Sequence, residues 1–326
     1  MIINFIVLFF NFFIFKKYPF ISKMYNLYDY PDNIRKKHAN PVPLLGGLIM
    51  YFNLVLYYLI CLNYDLGEYN LFTSNHEMTV FFLTASSFFF LGLIDDKYQV
   101  KANYKLIIVS LIIISMMYFD RNMIIDSINF SFYNENINLN SFQYFFTILC
   151  FLLFVNALNM LDGINGQATS YSIYVIIILM FSKMFIFFLL IPLVIFLFFN
   201  FKSKMFLGDS GTMLLGFVIS YFFIKDHNFL NSFTSDEIFL IMMIPGIELL
   251  RLALTRIIKK KHPFKPDTNH IHHYILKKYS FNKTYLLIQT VLILPYISFL
   301  LFKNSIYSFL ISIFFYIFII KKFSKV

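Results

Sequence analysis

Long apolar runs separated by short polar segments are the dominant pattern of the chain. Eleven runs approach the ~20 residues that a helix needs to cross a bilayer. They lie at 2–18, 44–62, 77–94, 104–119, 142–158, 169–182, 184–200, 212–225, 237–255, 284–302 and 305–320. The pattern predicts an all-α, polytopic integral membrane protein with ten to eleven transmembrane helices, in which residues 1–326 form a single domain. The first run lacks a basic start and a small-residue cleavage site, so we expect it to be retained.

The basic residues sort to one side of these spans. Twenty-three of the 27 Lys and Arg residues fall on the side of the 19–43 loop, which carries a net charge of +15, and the other side carries −5. The positive-inside rule places the +15 side in the cytoplasm. The net charge of +10 therefore reflects membrane topology, and we expect no nucleic-acid partner.

Composition excludes a soluble protein of this length. Hydrophobic residues make up 59% of the chain and charged residues only 13%, whereas a soluble globular protein carries about 25% charged residues. The two cysteines, Cys61 and Cys150, lie in apolar runs and support neither a disulfide scaffold nor a zinc cluster.

Two polar segments of the +15 side come early in the chain. The first, 29–47, contains prolines and paired glycines, and its Lys36, Lys37 or His38 could meet a phosphate or simply anchor the loop. The second is Asp95-Asp96-Lys97 at the end of a span. Adjacent helical residues point about 100° apart, so the two carboxylates need not share one ligand: one could hold a cation and the other a proton or Lys97.

Two further segments place acids beside glycines. Asn156, Asn159 and Asp162 follow an i, i+3, i+6 spacing, which aligns them on one stripe of a helix, and Gly163 follows directly. The segment 206–212 places Asp209 in Gly-Asp-Ser-Gly before a span. A carboxylate at that position can ligate Mg²⁺, while the start of the helix favours anions.

The fifth polar segment, 259–273, concentrates basic residues. It holds four of the seven histidines, including His270, His272 and His273, and Arg256 precedes it on the same span. The spacing lacks the patterns of zinc sites. A phosphate-binding loop fits the surrounding lysines better than a metal site does.

These segments resemble the polyprenyl-phosphate N-acetylhexosamine-1-phosphate transferases, a superfamily that also contains the phospho-N-acetylmuramoyl-pentapeptide transferases. The resemblance covers the chain from about Asp29 to His273. Within it, four stretches match the family motifs in order: 95–97 (DDK), 156–166 (NAxNxxDGxDG), 206–212 (FxGDxG[ST]) and 263–273 (PFxxDRxHxHH). The last motif favours the N-acetylglucosamine branch, UDP-GlcNAc:undecaprenyl-phosphate GlcNAc-1-phosphate transferase.

The resemblance implies that a UDP-sugar and undecaprenyl phosphate give a lipid-pyrophosphate-sugar and UMP, which initiates cell-surface polysaccharide assembly. It implies Mg²⁺, with Mn²⁺ as the alternative, and a site on the cytoplasmic face of the inner membrane. A homodimer is a further expectation. The implied catalytic residues are Asp95, Asp96, Asp162 and Asp209. The implied metal ligands are Asp209 first, then Asp95, Asp96 and Asn159. The implied substrate-binding residues are Lys36, His38, Lys97, Asn156, Asn159, Gly163, Arg256, His270, His272 and His273.

The sequence departs from the family pattern at four positions, which are Asn165, Gln167, Glu248 and Thr268. Asn165 replaces an acid and predicts an altered sugar or nucleotide pocket. Three alternative functions stay open at this point: a muramoyl-pentapeptide-type transferase, a membrane phosphatase of lipid pyrophosphates, and an ion-coupled transporter. A transporter would carry ionisable residues near mid-membrane, whereas here they gather at one face.

Overall fold

A computed structural model of the chain describes residues 2–31, 40–64, 70–182, 184, 186–263 and 267–324. Within these ranges the helices are α1 Ile2–Tyr25, α2 Gly46–Asn63, α3 Asn75–Tyr98, α4 Ala102–Phe119, α5 Gln143–Leu161, α6 Gln167–Phe181, α7 Phe187–Phe201, α8 Gly208–Lys225, α9 Ser235–Ile258, α10 Ile271–Leu276, α11 Phe281–Phe302 and α12 Ser305–Phe323. Eight are long and apolar enough to cross a membrane, and α6 and α7 are shorter apolar helices. The predicted all-α polytopic membrane fold is confirmed.

Helix α8 lies at the centre of the bundle, and every residue from Ser210 to Lys225 is buried. It packs antiparallel to α3 and also contacts α2 and α5. At one end of the pair, Gly92 of α3 lies against the backbone of Ser210. At the other end, Lys225 of α8 forms a buried ion pair with Glu77 of α3. A helix enclosed by other helices does not need a fully apolar surface, which explains the serines and glycines of α8.

The end of the bundle near Gly92 is built partly from extended backbone. Strands β1, Tyr28–Asp29, and β2, Val42–Pro43, pair antiparallel. The chain after β2 then joins the chain before α8, because Phe206 N donates to Pro43 O (2.9 Å) and Gly46 N donates to Phe206 O (3.1 Å). These bonds bring residues 43–46 of the first polar segment into direct contact with Phe206 of the fourth.

The opposite end of the bundle carries a β-hairpin that the pattern of apolar runs does not predict. Strands β3, Ser127–Phe130, and β4, Tyr133–Asn138, pair antiparallel. Asp236 at the start of α9 holds the turn by accepting from Ser131 N (2.9 Å) and Ser131 Oγ (2.5 Å). An isolated two-stranded hairpin is only marginally stable, so it depends on such tertiary contacts. The sequence of β4 is mostly polar and does not by itself predict a strand.

Candidate active site

The start of α8 is capped by a carboxylate from another helix. Both oxygens of Asp96, in the last turn of α3, accept hydrogen bonds: Oδ1 from Asp209 N (2.7 Å), and Oδ2 from Ser210 N (3.0 Å) and Ser210 Oγ (2.7 Å). A carboxylate at a helix start satisfies unpaired amides and the helix dipole. The anion at this helix start is therefore Asp96 itself, which fixes the backbone of Asp209.

The neighbouring Asp95 takes part in a different interaction. It is 5% exposed, forms an ion pair with Lys105 of α4, and accepts from Val100 N (2.7 Å). The amino group of Lys105 also lies 3.7 Å from Oδ2 of Asp209. In this structure the two adjacent carboxylates have different partners. The partner of Asp95, however, is Lys105 and not Lys97.

Lys105 is the principal residue that the sequence reasoning missed as part of the site. It is the only charged residue in α4, and a lone charge in an apolar span is a feature from which the sequence could have predicted its role. Lys97 is instead exposed, with its amino group 5.4 Å from the centroid of the Tyr98 ring. The role of Lys97 in substrate binding stays a prediction.

The polar stripe of α5 reaches the same end of the bundle. The helix ends at Leu161, before the glycines, and Asp162 is its C-terminal capping residue. Asn156 donates to Leu152 O of its own helix (2.7 Å), and both Asn156 and Asn159 are partly exposed. Burial, followed by the charges of Asp96 and Asp29, raises the pKa of Asp162 to about 7. Asp162 therefore lies within reach of the charges of Asp96 and Asp29, which belong to two other segments.

The histidine segment docks onto the loop that follows Asp162. Any side chain at Gly163 would overlap the imidazole of His272, so glycine is required for this close approach. The three predicted histidines also lie together, with ring centroids 5.2 Å apart for His270 and His272, and 4.3 Å apart for His272 and His273. The structure thus brings the third and fifth polar segments together.

Burial favours the uncharged form of two of these imidazoles. Burial lowers the pKa of His270 to about 4 and that of His272 well below its usual range. An uncharged imidazole offers one ring N–H group as a hydrogen-bond donor.

Arg256 supports the segment before the histidines. It is 7% exposed, and its guanidinium donates to Asp267 Oδ2 (2.8 Å) and Pro263 O (2.7 Å). Burial of Asp267 opposes ionisation of its carboxyl group. The hydrogen bond from Arg256 nevertheless lowers the pKa of Asp267 to about 2. In this structure, the guanidinium of Arg256 is therefore engaged by bonds within the protein. Direct binding of pyrophosphate by Arg256 stays a prediction.

Asn165 is oriented toward a neighbouring loop. Its amide donates to Ser203 Oγ (2.7 Å), while buried Asn200 accepts from Gly166 N (2.6 Å) and donates to Met205 O (2.8 Å). An aspartate at 165 could not donate the first bond. Asn200 is a second residue that the sequence reasoning missed, and it ties the glycine loop to the segment before α8. The predicted phosphate-binding residues Lys36 and His38 lie outside the described residues.

The described side chains also indicate how a metal could be held. Among them, no group of three or more His, Cys, Asp or Glu is arranged to hold a metal ion alone. Mg²⁺, however, commonly takes one or two protein carboxylates and completes its shell with water and substrate phosphates. The side chain of Asp209 is 35% exposed, and Asp162 and Asn159 are partly exposed. This oxygen donor set fits Mg²⁺ that is bound jointly with a phosphate ligand.

Comparison with known proteins places this arrangement in a family. Residues 78–226, from α3 to just beyond α8, match the sequence model of the family described as "Glycosyl transferase family 4". A Bacillus subtilis protein named "Probable undecaprenyl-phosphate N-acetylglucosaminyl 1-phosphate transferase" is 30% identical over 261 residues, which cover 76% of this chain and 69% of the relative. The chain belongs to glycosyl transferase family 4.

Other relatives carry related names. The undecaprenyl-phosphate alpha-N-acetylglucosaminyl 1-phosphate transferase of Escherichia coli (strain K12) is 26% identical over 272 residues, which cover 79% of this chain and 71% of the relative. The protein of the same name from Salmonella typhi is 25% identical over 260 residues, which cover 75% and 68%. The family match includes Asp95, Asp96, Asp162 and Asp209 but ends before the histidine segment.

Proposed function

We propose that this protein transfers N-acetylglucosamine 1-phosphate from UDP-N-acetylglucosamine to undecaprenyl phosphate and releases UMP. The names of the relatives contain undecaprenyl phosphate and an N-acetylglucosaminyl 1-phosphate group, which supports this acceptor and this transferred group. The single observation that carries the proposal is the Asp95–Lys105–Asp209 cluster at the start of the buried helix α8. It combines a fixed cation with two carboxylates at one end of a membrane-spanning bundle. Phosphoryl transfer between two anions needs such positioned charges.

The reaction joins one phosphate to another. An oxygen of the lipid phosphate attacks the phosphorus that bears the sugar. A bond forms between them, and the bond from that phosphorus to the oxygen bridging the two phosphates breaks. UMP leaves with the bridging oxygen. A phosphate monoester has its second pKa near 6, so the acceptor is largely deprotonated at neutral pH and a strong base is not required.

Lys105 and the neighbouring carboxylates position the reacting groups. The amino group of Lys105 is held by Asp95, which limits its movement, and lies near Asp209. It supplies positive charge to a phosphate oxygen at this site. Asp96 acts on the backbone: by capping α8, it sets where the carboxylate of Asp209 projects. In this proposal Asp96 is a positioning residue.

The residues that would hold Mg²⁺ are Asp209 first and then Asp162, with Asn159 beside it. When bound, the ion would neutralise charge on the donor pyrophosphate. Imidazole N–H groups of the 270–273 segment would donate hydrogen bonds to the same phosphates. This role rests on the contact between His272 and Gly163, which places the segment beside Asp162.

The orientation is also part of the proposal. The site lies at the end of the bundle that carries Lys105, Arg251 and Arg256, whereas Glu77, Asp120 and Asp236 lie at the opposite end. This agrees with the sorting of charges along the sequence. We therefore propose that the active site faces the cytoplasm of a bacterial inner membrane, where nucleotide sugars are available. Homodimer formation stays a prediction.

The test uses the full-length protein in membranes or detergent with labelled UDP-N-acetylglucosamine and undecaprenyl phosphate. The expected result is a labelled lipid and one UMP for each lipid formed. Release of inorganic phosphate without a labelled lipid would favour a phosphatase and overturn the proposal. Labelling only with UDP-N-acetylmuramoyl-pentapeptide would favour the other branch of the superfamily.

A further inference from the structure

The last helix of the chain makes a polar contact with α9 beside the histidine segment. Tyr316 of α12 is 4% exposed. Its hydroxyl donates to Glu248 Oε2 (2.5 Å) and accepts from Arg251 Nε (3.0 Å). Residues 248 and 316 are 68 positions apart, so this contact depends entirely on how α9 and α12 pack.

Glu248 and Arg251 in turn hold the backbone on either side of His270. Glu248 Oε1 accepts from Ile271 N (2.8 Å), and Arg251 Nη2 donates to Asn269 O (2.7 Å). The two side chains are also joined to each other by paired bonds of 2.9 and 2.8 Å. The geometry of His270 and of the first turn of α10 is therefore fixed by a charged pair on α9.

The hydroxyl of Tyr316 completes the contacts of this pair. Oε2 of Glu248 receives hydrogen bonds from Tyr316 and from Arg251, and Glu248 is 6% exposed. Water cannot readily replace a lost donor at a buried carboxylate, and a bond to a charged group is worth more than a neutral one. Loss of the hydroxyl would let the Glu248–Arg251 pair shift, and the bonds to Asn269 and Ile271 would shift with it.

Helix α12 has separate apolar contacts that do not need the hydroxyl. The ring centroids of Phe323 and Tyr279 lie 5.5 Å apart, and the amino group of Lys278 lies 5.8 Å from the centroid of Phe323. These contacts attach the end of α12 to the segment that follows α10. Removing one hydroxyl oxygen should therefore leave α12 docked while it removes one of the two donors to Oε2 of Glu248.

We propose that Tyr316 is a positioning residue for the active site. Its hydroxyl orients Glu248 and Arg251, and through them the backbone from Asn269 to Ile271 that presents His270 and His272. The inference rests on the proposed function, in which these histidines bind the phosphates of the nucleotide sugar. It assigns the C-terminal helix a role in substrate binding without any contact between that helix and substrate.

The test compares Tyr316→Phe with Tyr307→Phe in the purified full-length protein. Tyr307 lies on the same helix and is 61% exposed, so its substitution is the matched control. We expect Tyr316→Phe to raise KM for UDP-N-acetylglucosamine about tenfold, the cost of one bond to a charged group, with a smaller change in kcat. Tyr307→Phe should match the wild type. Equal KM values for Tyr316→Phe and wild type would overturn the inference.

A double-mutant cycle tests whether Tyr316 acts through Glu248. If it does, Tyr316→Phe should add little to the effect of Glu248→Gln, because the orienting contact has already been lost. Independent effects that multiply would contradict a common route. If the wild type itself transfers no sugar phosphate to lipid, the proposed function fails first, which distinguishes the two failures.

A measurement that needs no turnover tests the inference even if the wild type transfers no sugar phosphate. Diethylpyrocarbonate modifies accessible neutral imidazoles, and mass spectrometry can map the modification to the peptide that contains residues 270–273. We expect this peptide to react faster in Tyr316→Phe than in Tyr307→Phe, with unchanged reaction at His76 and His227 at the other end of the bundle. Equal rates at 270–273 in both variants would overturn the inference.

Discussion

Lys105 and Asp209 come from different helices, and the amino group of one lies 3.7 Å from the carboxylate of the other. Lys105 is paired at the same time with Asp95, which is 5% exposed. A buried carboxylate without its cation is strongly disfavoured. The cation is therefore part of the architecture of the site, in addition to any contact that it makes with substrate.

Replacing Lys105 tests this arrangement. Lys105→Met keeps the aliphatic stem and removes the charge, and we expect kcat to fall by about 100-fold, as for other residues that stabilise developing charge. Lys101→Met, which changes an exposed lysine one turn earlier, should keep wild-type kcat. Transfer assays on both purified variants check this, and equal activity of the two would exclude a role for Lys105.

Asp96 and Asp209 should differ in their effects on stability. Asp96→Asn weakens the cap of α8, so we expect a loss of about 1 kcal/mol of unfolding free energy, as for other helix caps, together with reduced activity. Asp209→Asn should abolish transfer without a comparable loss of stability, because its side chain caps no helix. Thermal unfolding in detergent and transfer assays separate the two variants. The assignment of Asp96 as a positioning residue fails if Asp96→Asn leaves the melting temperature unchanged.

Removal of divalent cations tests the proposed role of Mg²⁺. Transfer should stop in EDTA and return when Mg²⁺ is added in excess, with Mn²⁺ as a substitute. The protein should remain folded throughout, because no group of three or more described His, Cys, Asp or Glu side chains forms a structural metal site. Circular dichroism recorded in EDTA provides that control. Undiminished turnover in EDTA would exclude a metal-dependent reaction.

Gly163 provides a steric test of the contact with the histidine segment. A methyl group at this position would overlap the ring of His272. We expect Gly163→Ala to lower kcat/KM about tenfold, in line with the usual cost of overpacking. Gly246→Ala is the matched control, since nothing lies within 4 Å of a Cβ placed there. That helical substitution should preserve activity and stabilise α9 slightly.

Labelling of single cysteines tests the orientation in the membrane. The background protein carries Cys61→Ser and Cys150→Ser, and each probe is a cysteine at an exposed position, 136 in the hairpin or 101 at the site end. A membrane-impermeant maleimide applied to intact cells should label Asn136→Cys. It should label Lys101→Cys only after the cells are permeabilised. The reverse pattern would contradict a cytoplasmic active site.

Asn165, which departs from the family pattern, makes a hydrogen bond that an aspartate at this position could not donate. Its side chain donates to Ser203 and so joins the glycine loop to the segment before α8. The sequence suggests a changed sugar or nucleotide pocket at this position, which stays a prediction. If Asn165→Asp left both donor preference and rate unchanged, that hypothesis would fail.

The sequence by itself determined the membrane class, the distribution of charge between the two sides and the polar segments that meet in the candidate site. Lipid imposes long apolar runs, so the few acids, glycines and histidines that interrupt them carry most of the information. Only the tertiary structure decided what each acid contacts. Asp95 and Asp96 are adjacent in sequence, but the helix turns them toward Lys105 and the start of α8, respectively. The pairing of Glu248 with Tyr316 likewise depends on helix packing. The pattern of apolar and polar residues along the chain does not predict which helices pack against each other.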